Sequence, residues 1–331
     1  MKNFGWREKL GNGLNTGVKP EATDFVLMAD PYGSAGASPT IRPLVKFKKT
    51  RRIHNDLWIG PINRNLTKAI MKACMYRGEN LKPTPQFWCP YGFIRKRAPT
   101  VNDKQQFDPD TYLQQCIALS RLVHPTSIGY QFSARVIKQP GSRRKIVPFD
   151  PHTINKFAFV IDVNENWLNP DDIPLLINLV TCFEKAKNRL SNRIKNAMWF
   201  YEYLSRTSVL DIRWALLITA FESLVKIDDE RDPTTGKYAG STKSFVDRLT
   251  ALKTFDSSLY VPRGDLEKIY KERSNLVHGL DVASLAPGKK DLYRKAETLI
   301  RNILRKAILD TTFASIFDSD ASIKRTLPLR P

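Results

Sequence analysis

Between Asp211 and Lys226 the chain reads Ile-Arg-Trp-Ala-Leu-Leu-Ile-Thr-Ala-Phe-Glu-Ser-Leu-Val. As a helix, this stretch is apolar almost all round. Such a helix has to be enclosed by other elements, so the segment calls for a bundle with itself at the centre. Its neighbours have the right character. Asn169-Pro170-Asp171-Asp172 is a helix-start signal. It opens a helical pattern that runs to about residue 207, with Leu175, Leu176, Leu179, Phe183, Leu190, Ile194, Met198 and Tyr201 at the apolar positions. A polar loop from Asp228 to Ser241 follows, containing Pro233 and Gly236. Further helices are expected over Phe245–Leu252, Asp265–His278 and Leu292–Leu309. Residues 165–317 therefore read as an all-helical domain, and residues 318–331 as a tail.

Residues 1–164 have a different pattern. After a lead-in rich in Gly, Asn and charge, Asp24–Met28 reads as a strand, and Leu44–Ile53 as a strand with one basic face running into a cationic turn. A helix is expected over Asn65–Tyr76 and a short strand over Tyr91–Arg95. Asp108 and Pro109 open a second helix, carrying Tyr112, Leu113, Cys116, Leu119 and Leu122. Ile128–Lys138 alternates as a strand does and leads into a cationic turn, Pro140–Lys145; Phe157–Val163 is a further apolar strand. The fold class is α+β: a mixed α/β N-terminal domain followed by an all-α bundle.

The net charge is +20 and is unevenly spread. Residues 1–150 hold 25 Lys and Arg against 10 Asp and Glu; residues 151–331 hold 28 against 23. A basic half joined to a nearly balanced half points to a polyanionic partner, with RNA-binding candidates Lys46, Lys48, Lys49, Arg51, Arg52, Arg95, Lys96, Arg97, Arg143, Arg144 and Lys145. Trp58, Trp88, Tyr91 and Phe93 lie near several of these in sequence and suit base stacking; they equally suit a core beneath a solvated charged face. The richest apolar run, Trp214–Val225, is broken by Thr219, Glu222 and Ser223. The first residues lack the apolar core of a signal peptide, so a cytoplasmic protein away from membranes is expected. Cys74, Cys89, Cys116 and Cys182 form no CxxC pair and read as reduced thiols. With His54, His124 and His152 they make no metal spacing, and the glycine-containing loop Pro31–Pro39 lacks the ending of a P-loop, so no cofactor or metal is expected.

The chemistry concentrates in Tyr270-Lys-Glu-Arg273-Ser274-Asn275-Leu276-Val277-His278-Gly279. On a helix, Leu266, Ile269, Tyr270, Leu276 and Val277 share one face. Arg273 projects from the middle of that stripe, where a guanidinium needs an anion to meet it. His278, a group that exchanges protons near neutral pH, follows at the helix end, and Gly279 supplies the residue type that stops helices. Glu222, in Phe221-Glu222-Ser223-Leu224, is the natural carboxylate to hold Arg273.

This stretch resembles the RxxxxH motif of the HEPN superfamily. Tyr270-x-x-Arg273-Ser274-x-Leu276-Val277-His278-Gly279 is similar to the signature of its Apea-like branch, and the order of helices from about residue 165 onward fits that layout. Ser274 departs from the wider superfamily, in which Asn, Asp or His often follows the Arg, and agrees with the Apea-like branch. The resemblance implies a metal-independent endoribonuclease in which the ribose 2′-OH attacks the adjacent phosphorus. It makes Arg273, His278 and Glu222 the catalytic set, supported by Ser274 and Asn275. It also implies a homodimer with a composite cleft and a setting in bacterial antiviral defence. There tRNA or other RNA is cut once a viral trigger is sensed, with the basic half as the recognition domain. A catalytically silent RNA-binding or dimerisation protein is the alternative reading of the same motif.

Overall fold

A computed structural model describes residues 22–30, 47–75, 88–96, 109–124, 129–138, 143–148, 168, 170–207, 209–277 and 287–330. The N-terminal part is built on a six-stranded antiparallel sheet in the order β2-β3-β4-β1-β5-β6, from β1 (Ala22–Asp30), β2 (Arg51–His54), β3 (Leu57–Gly60), β4 (Trp88–Arg95), β5 (Gly129–Lys138) and β6 (Arg144–Pro148). Alternation along the strands sorts side chains onto two faces. Phe25, Leu27, Ile94, Phe132, Ala134 and Val136 form one buried face with Ile70 and Met71 of α1 (Arg64–Met75). On the other face Asp24, 1% exposed, is met by Arg135 of its neighbour β5 through two hydrogen bonds of 2.6 and 2.9 Å. That bidentate geometry offsets the cost of burying the carboxylate.

Two cationic segments differ from expectation. Alternation from Leu44 points to a strand, but Lys48–Thr50 are exposed and outside the sheet, and pairing begins at Arg51. Arg51 and Arg52 are therefore strand residues, and the turn is Asn55-Asp56. Gly60 permits the chain to pass there: a Cβ at this position would stand 2.5 Å from the Thr50 Cα. Arg144 and Lys145, expected in a turn, begin edge strand β6. The expected strand Phe157–Val163 lies outside the described residues.

Buried packing is continuous from the sheet into the helices. Phe47, Ile53, Leu57, Ile59 and Phe93, with Cys116, Ile117, Leu119 and Leu122 of α2 (Pro109–Val123), belong to the same buried cluster as the C-terminal helices. Those helices are α3 (Ile173–Ala186), α4 (Asn192–Ser205), α5 (Leu210–Val225), α6 (Ser241–Ala251), α7 (Arg263–Val277), α8 (Pro287–Leu309), the short α9 (Thr311–Ala314) and α10 (Asp320–Thr326). The pattern that runs unbroken to residue 207 in the sequence is two helices, and Ser191 caps the second by accepting a hydrogen bond from the Ile194 amide.

Helix α5 is central, touching α4, α6, α7 and α8. Trp214, Leu217, Ile218, Phe221, Leu224 and Val225 are buried on it, but enclosure is incomplete, because Ile212 is half exposed. Arg213 is buried instead: its Nε donates to the Tyr293 hydroxyl at 3.0 Å, and Glu297 lies 3.7 Å away. The segment expected as a tail is a correction. Residues 320–326 are helical, and Ile323, Leu327 and Leu329 are buried. Three well-spaced apolar side chains are enough to dock a short C-terminal helix on a bundle, although they are too few to read as a helix from periodicity. Among the described residues no helix is long and apolar enough to cross a membrane.

Candidate active site

The end of α5 is fixed from two directions. Arg193 of α4 donates to the carbonyls of Ser223 and Lys226 at 3.2 and 2.8 Å and pairs with Asp320 at 2.5 Å. Arg248 of α6, fully buried, donates to the Val225 carbonyl at 2.6 Å and pairs with Glu230 at 2.5 Å. Carbonyls left over at a helix C-terminus need such donors. Two arginines therefore hold the turn that carries Glu222.

Helix α7 brings its own residues to that turn. The Tyr270 hydroxyl donates to Glu222 Oε1 at 2.9 Å, and Arg273 Nη2 stands 3.5 Å from Oε2. The Tyr270 ring lies in the core, 4.8 Å from the Phe245 ring, while the Arg273 guanidinium sits 5.7 Å from the Tyr270 ring centre. Burial, reinforced by the Glu222 charge and their hydrogen bond, pushes the Tyr270 phenol above its usual range; Arg273 and a hydrogen bond with Ser241 oppose this. Tyr270 therefore stays protonated and donates to the carboxylate.

Exposure separates the pair. The Glu222 side chain is 15% exposed and that of Arg273 40%. The sequence places Arg273 in the middle of an apolar stripe, but the helix leaves it at the edge of that stripe, with its side chain partly exposed. A partly exposed Arg held by one long contact can exchange a carboxylate for a phosphate oxygen, which matches its fork equally well. Ser274 and Asn275 follow in the last turn of α7. His278 lies outside the described residues, immediately after the final residue of that helix. Tyr270 is the participant that the sequence reading takes for plain core; a hydroxyl on the same helix face as Arg273, one turn before it, is the signal that identifies it.

The basic candidates of the N-terminal half do not form one surface. Lys48, Lys49, Arg51 and Arg52 line the β2 side of the sheet, with Lys96 4.0 Å from the Trp58 ring. Arg143, Arg144 and Lys145 are exposed at the β6 side. Five strand spacings separate the two edges, roughly 24 Å. Arg95 is committed to Asp56 at 2.6 Å with both side chains largely buried, and Arg52 donates to the Asn55 carbonyl. Phe93 is core. Lys46 and Arg97 lie outside the described residues. Among the described residues no cluster of His, Cys, Asp and Glu has the geometry of a metal site. No protein-family model, curated protein or solved structure matches the chain.

Proposed function

We propose that this chain is a metal-independent endoribonuclease of the HEPN type, with Arg273 and His278 acting on the scissile phosphate and Glu222 holding Arg273 at rest. The observation that supports this reading is the meeting of Glu222 and Arg273, 51 positions apart in sequence, at the edge of a bundle with the Arg273 side chain 40% exposed. A purely structural ion pair in a bundle interior would be covered. In the reaction the 2′-oxygen forms a bond to phosphorus, the bond to the 5′-oxygen breaks, and the products are a 2′,3′-cyclic phosphate and a 5′-hydroxyl. One proton leaves the 2′-hydroxyl and one reaches the leaving oxygen. His278 is suited to proton transfer and Arg273 to the charge that builds on the non-bridging oxygens. By the same resemblance the protein works as a homodimer in antiviral defence.

The test is incubation of total cellular RNA in EDTA, with and without a viral trigger, using wild type, Arg273→Ala and His278→Ala. Cuts ending in cyclic phosphate, absent from both folded variants, are expected. Intact RNA in every condition, with RNA binding undiminished in both variants, would leave the silent RNA-binding protein in its place.

A further inference from the structure

A second cleft opens between α2, the end of α3 and α4, and it shares no lining residue with Glu222, Arg273 or Tyr270. It encloses about 630 Å³. Its wall is a pair of aromatic rings one helical turn apart: Trp199, 54% exposed, and Tyr203, 46% exposed, with ring centres 4.1 Å apart and planes tilted by 36°. Phe200 meets Trp199 in a T-shaped contact with ring centres 5.1 Å apart, which adds a second aromatic partner to the platform. Phe183 and Met198 supply apolar lining, and the amides of Gln115 and Asn188 stand at the rim.

Charge decides what such a cleft suits. Lys187, Lys195 and Arg206 line it, and Glu202 is the carboxylate among its lining residues. Glu202 is already neutralised, by the buried Arg121 on one side and by Arg206 at 2.8–2.9 Å on the other. Lys187 is itself paired with Glu184 at 2.8 Å, so among the described contacts Lys195 is the lining cation left unmatched, in a chain of net charge +20. Exposed aromatic faces beside Lys and Arg provide stacking and phosphate attraction together, the combination used to hold single-stranded nucleic acid. Lysines are depleted at protein–protein interfaces, so the rim fits a second protein surface less well.

We propose that this cleft binds a single-stranded stretch of RNA, with a base stacked on Trp199 and a neighbouring phosphate drawn to Lys195. The inference shares with the proposed function the view that RNA is the partner, but it does not depend on cleavage. A strand held here would be anchored apart from the Glu222–Arg273 edge.

The probe is a fluorescent 2′-O-methyl oligouridine, which has no attacking hydroxyl, so binding is read even if the chain cuts nothing. Anisotropy on the full chain should show Trp199→Ala weakening binding about tenfold and Trp199→Phe restoring it to within about threefold. Lys195→Glu should weaken binding and make it less steeply dependent on salt. A duplex of the same sequence, whose bases are already stacked, should not respond to Trp199→Ala. Equal affinity of wild type and Trp199→Ala for the single strand would overturn the proposal. If that variant instead lost self-association in sedimentation with oligonucleotide affinity intact, the cleft would be an interface between copies.

Discussion

Tyr270 holds Glu222 more closely than Arg273 does: 2.9 Å for the hydroxyl on Oε1 against 3.5 Å for the guanidinium on Oε2. The first is a well-formed bond to a charged acceptor and the second lies at the outer limit of hydrogen bonding. The carboxylate is thus oriented by a neutral residue rooted in the core, and the cation beside it is restrained less tightly. Replacing Tyr270 by Phe removes that orientation while keeping the ring on Phe245. A stability loss of about 1–2 kcal/mol is expected in urea unfolding. RNA binding should weaken as well, because an unanchored Glu222 can close on Arg273. Unchanged affinity in a folded Tyr270→Phe protein would show that the tyrosine has no part in presenting the guanidinium.

Glu222→Gln separates restraint from chemistry. The amide oxygen still accepts from Tyr270, but the charge that competes with phosphate is gone. The pair is partly exposed, so the ion pair itself stabilises by less than about 1 kcal/mol and the melting temperature should hardly move. RNA affinity should rise. If cleavage falls while affinity rises, Glu222 acts in the reaction as well as at rest; if both rise, it is only a restraint.

Much of this arrangement was legible in the sequence. The α+β class and the helical bundle follow from periodicity, and the need of Arg273 for an anion from its place on an apolar stripe. Glu222 is singled out by its apolar surroundings together with the family resemblance. Of Leu44–Ile53 the described part, from Phe47, pairs only from Arg51, just after Thr50 packs against Gly60. The cationic Arg51 and Arg52 therefore fall in a strand where the charge pattern suggests a turn. The cationic residues could be counted but not mapped: strand order 2-3-4-1-5-6 sends Arg51 and Arg144 to opposite edges, and chain order does not contain that information. Trp199 and Tyr203 are not among the apolar positions that the helical pattern assigns, and spacing alone does not show that their rings meet. Their exposure depends on where α2 and α3 end, which is a property of the packing.

Arg213 enters α5 as the one cation within an apolar helix, and its described partners come from elsewhere. It is 2% exposed, bonded to Tyr293 and close to Glu297, itself 9% exposed. Burial pushes the Glu297 carboxyl upward, and Arg213 is the strongest influence opposing it. Removing the cation takes away the strongest compensation of a buried carboxylate and leaves it the weaker influence of Arg301, so Arg213→Met should cost about 3–5 kcal/mol. Adding Glu297→Gln should recover part of that loss. A double-mutant cycle by chemical denaturation checks the coupling, and simple additivity would show that the pair does not interact.

Acid should loosen the loop after α5 in a defined window. Asp232 accepts from Lys243 at 2.6 Å and from the amides of Thr234 and Thr235, and these hydrogen bonds lower its carboxyl from 3.8 to about 2. A depressed carboxylate contributes stability that is complete above the unfolded value and is lost as pH falls through the folded one, here from about 4 to about 2. Asp256 and Asp310, which cap helical turns, are lowered as well, so the whole protein should lose stability in acid. Asp232→Asn should flatten only its own share. Melting temperatures of the two proteins should therefore converge between pH 5 and pH 2, and parallel curves would exclude this role for Asp232.

The C-terminal segment joins the fold to the candidate site, and removing it should damage both. Ile323 and Leu327 are fully buried and Leu329 nearly so. Burying a side chain of this size stabilises by about 1.5–3 kcal/mol, so losing three approaches the whole stability of a typical domain. The polar ties are equally direct. Arg248 Nε donates to the Leu327 carbonyl at 3.3 Å, the Arg330 amide donates to Asp247 at 3.0 Å, and Asp320 holds Arg193. Arg193 and Arg248 are the two residues that fix the end of α5, so cutting the chain after Ser319 frees the donors that position Glu222. The truncated protein should be insoluble or lack a cooperative melt. Leu327→Ala is the milder form: it creates a cavity beside Arg248 and should cost about 2–5 kcal/mol while leaving a folded protein. If Leu327→Ala melts as wild type does, the segment is only laid on the surface; if it melts early and also binds RNA less well, the C-terminus is part of what holds the Glu222–Arg273 edge in shape.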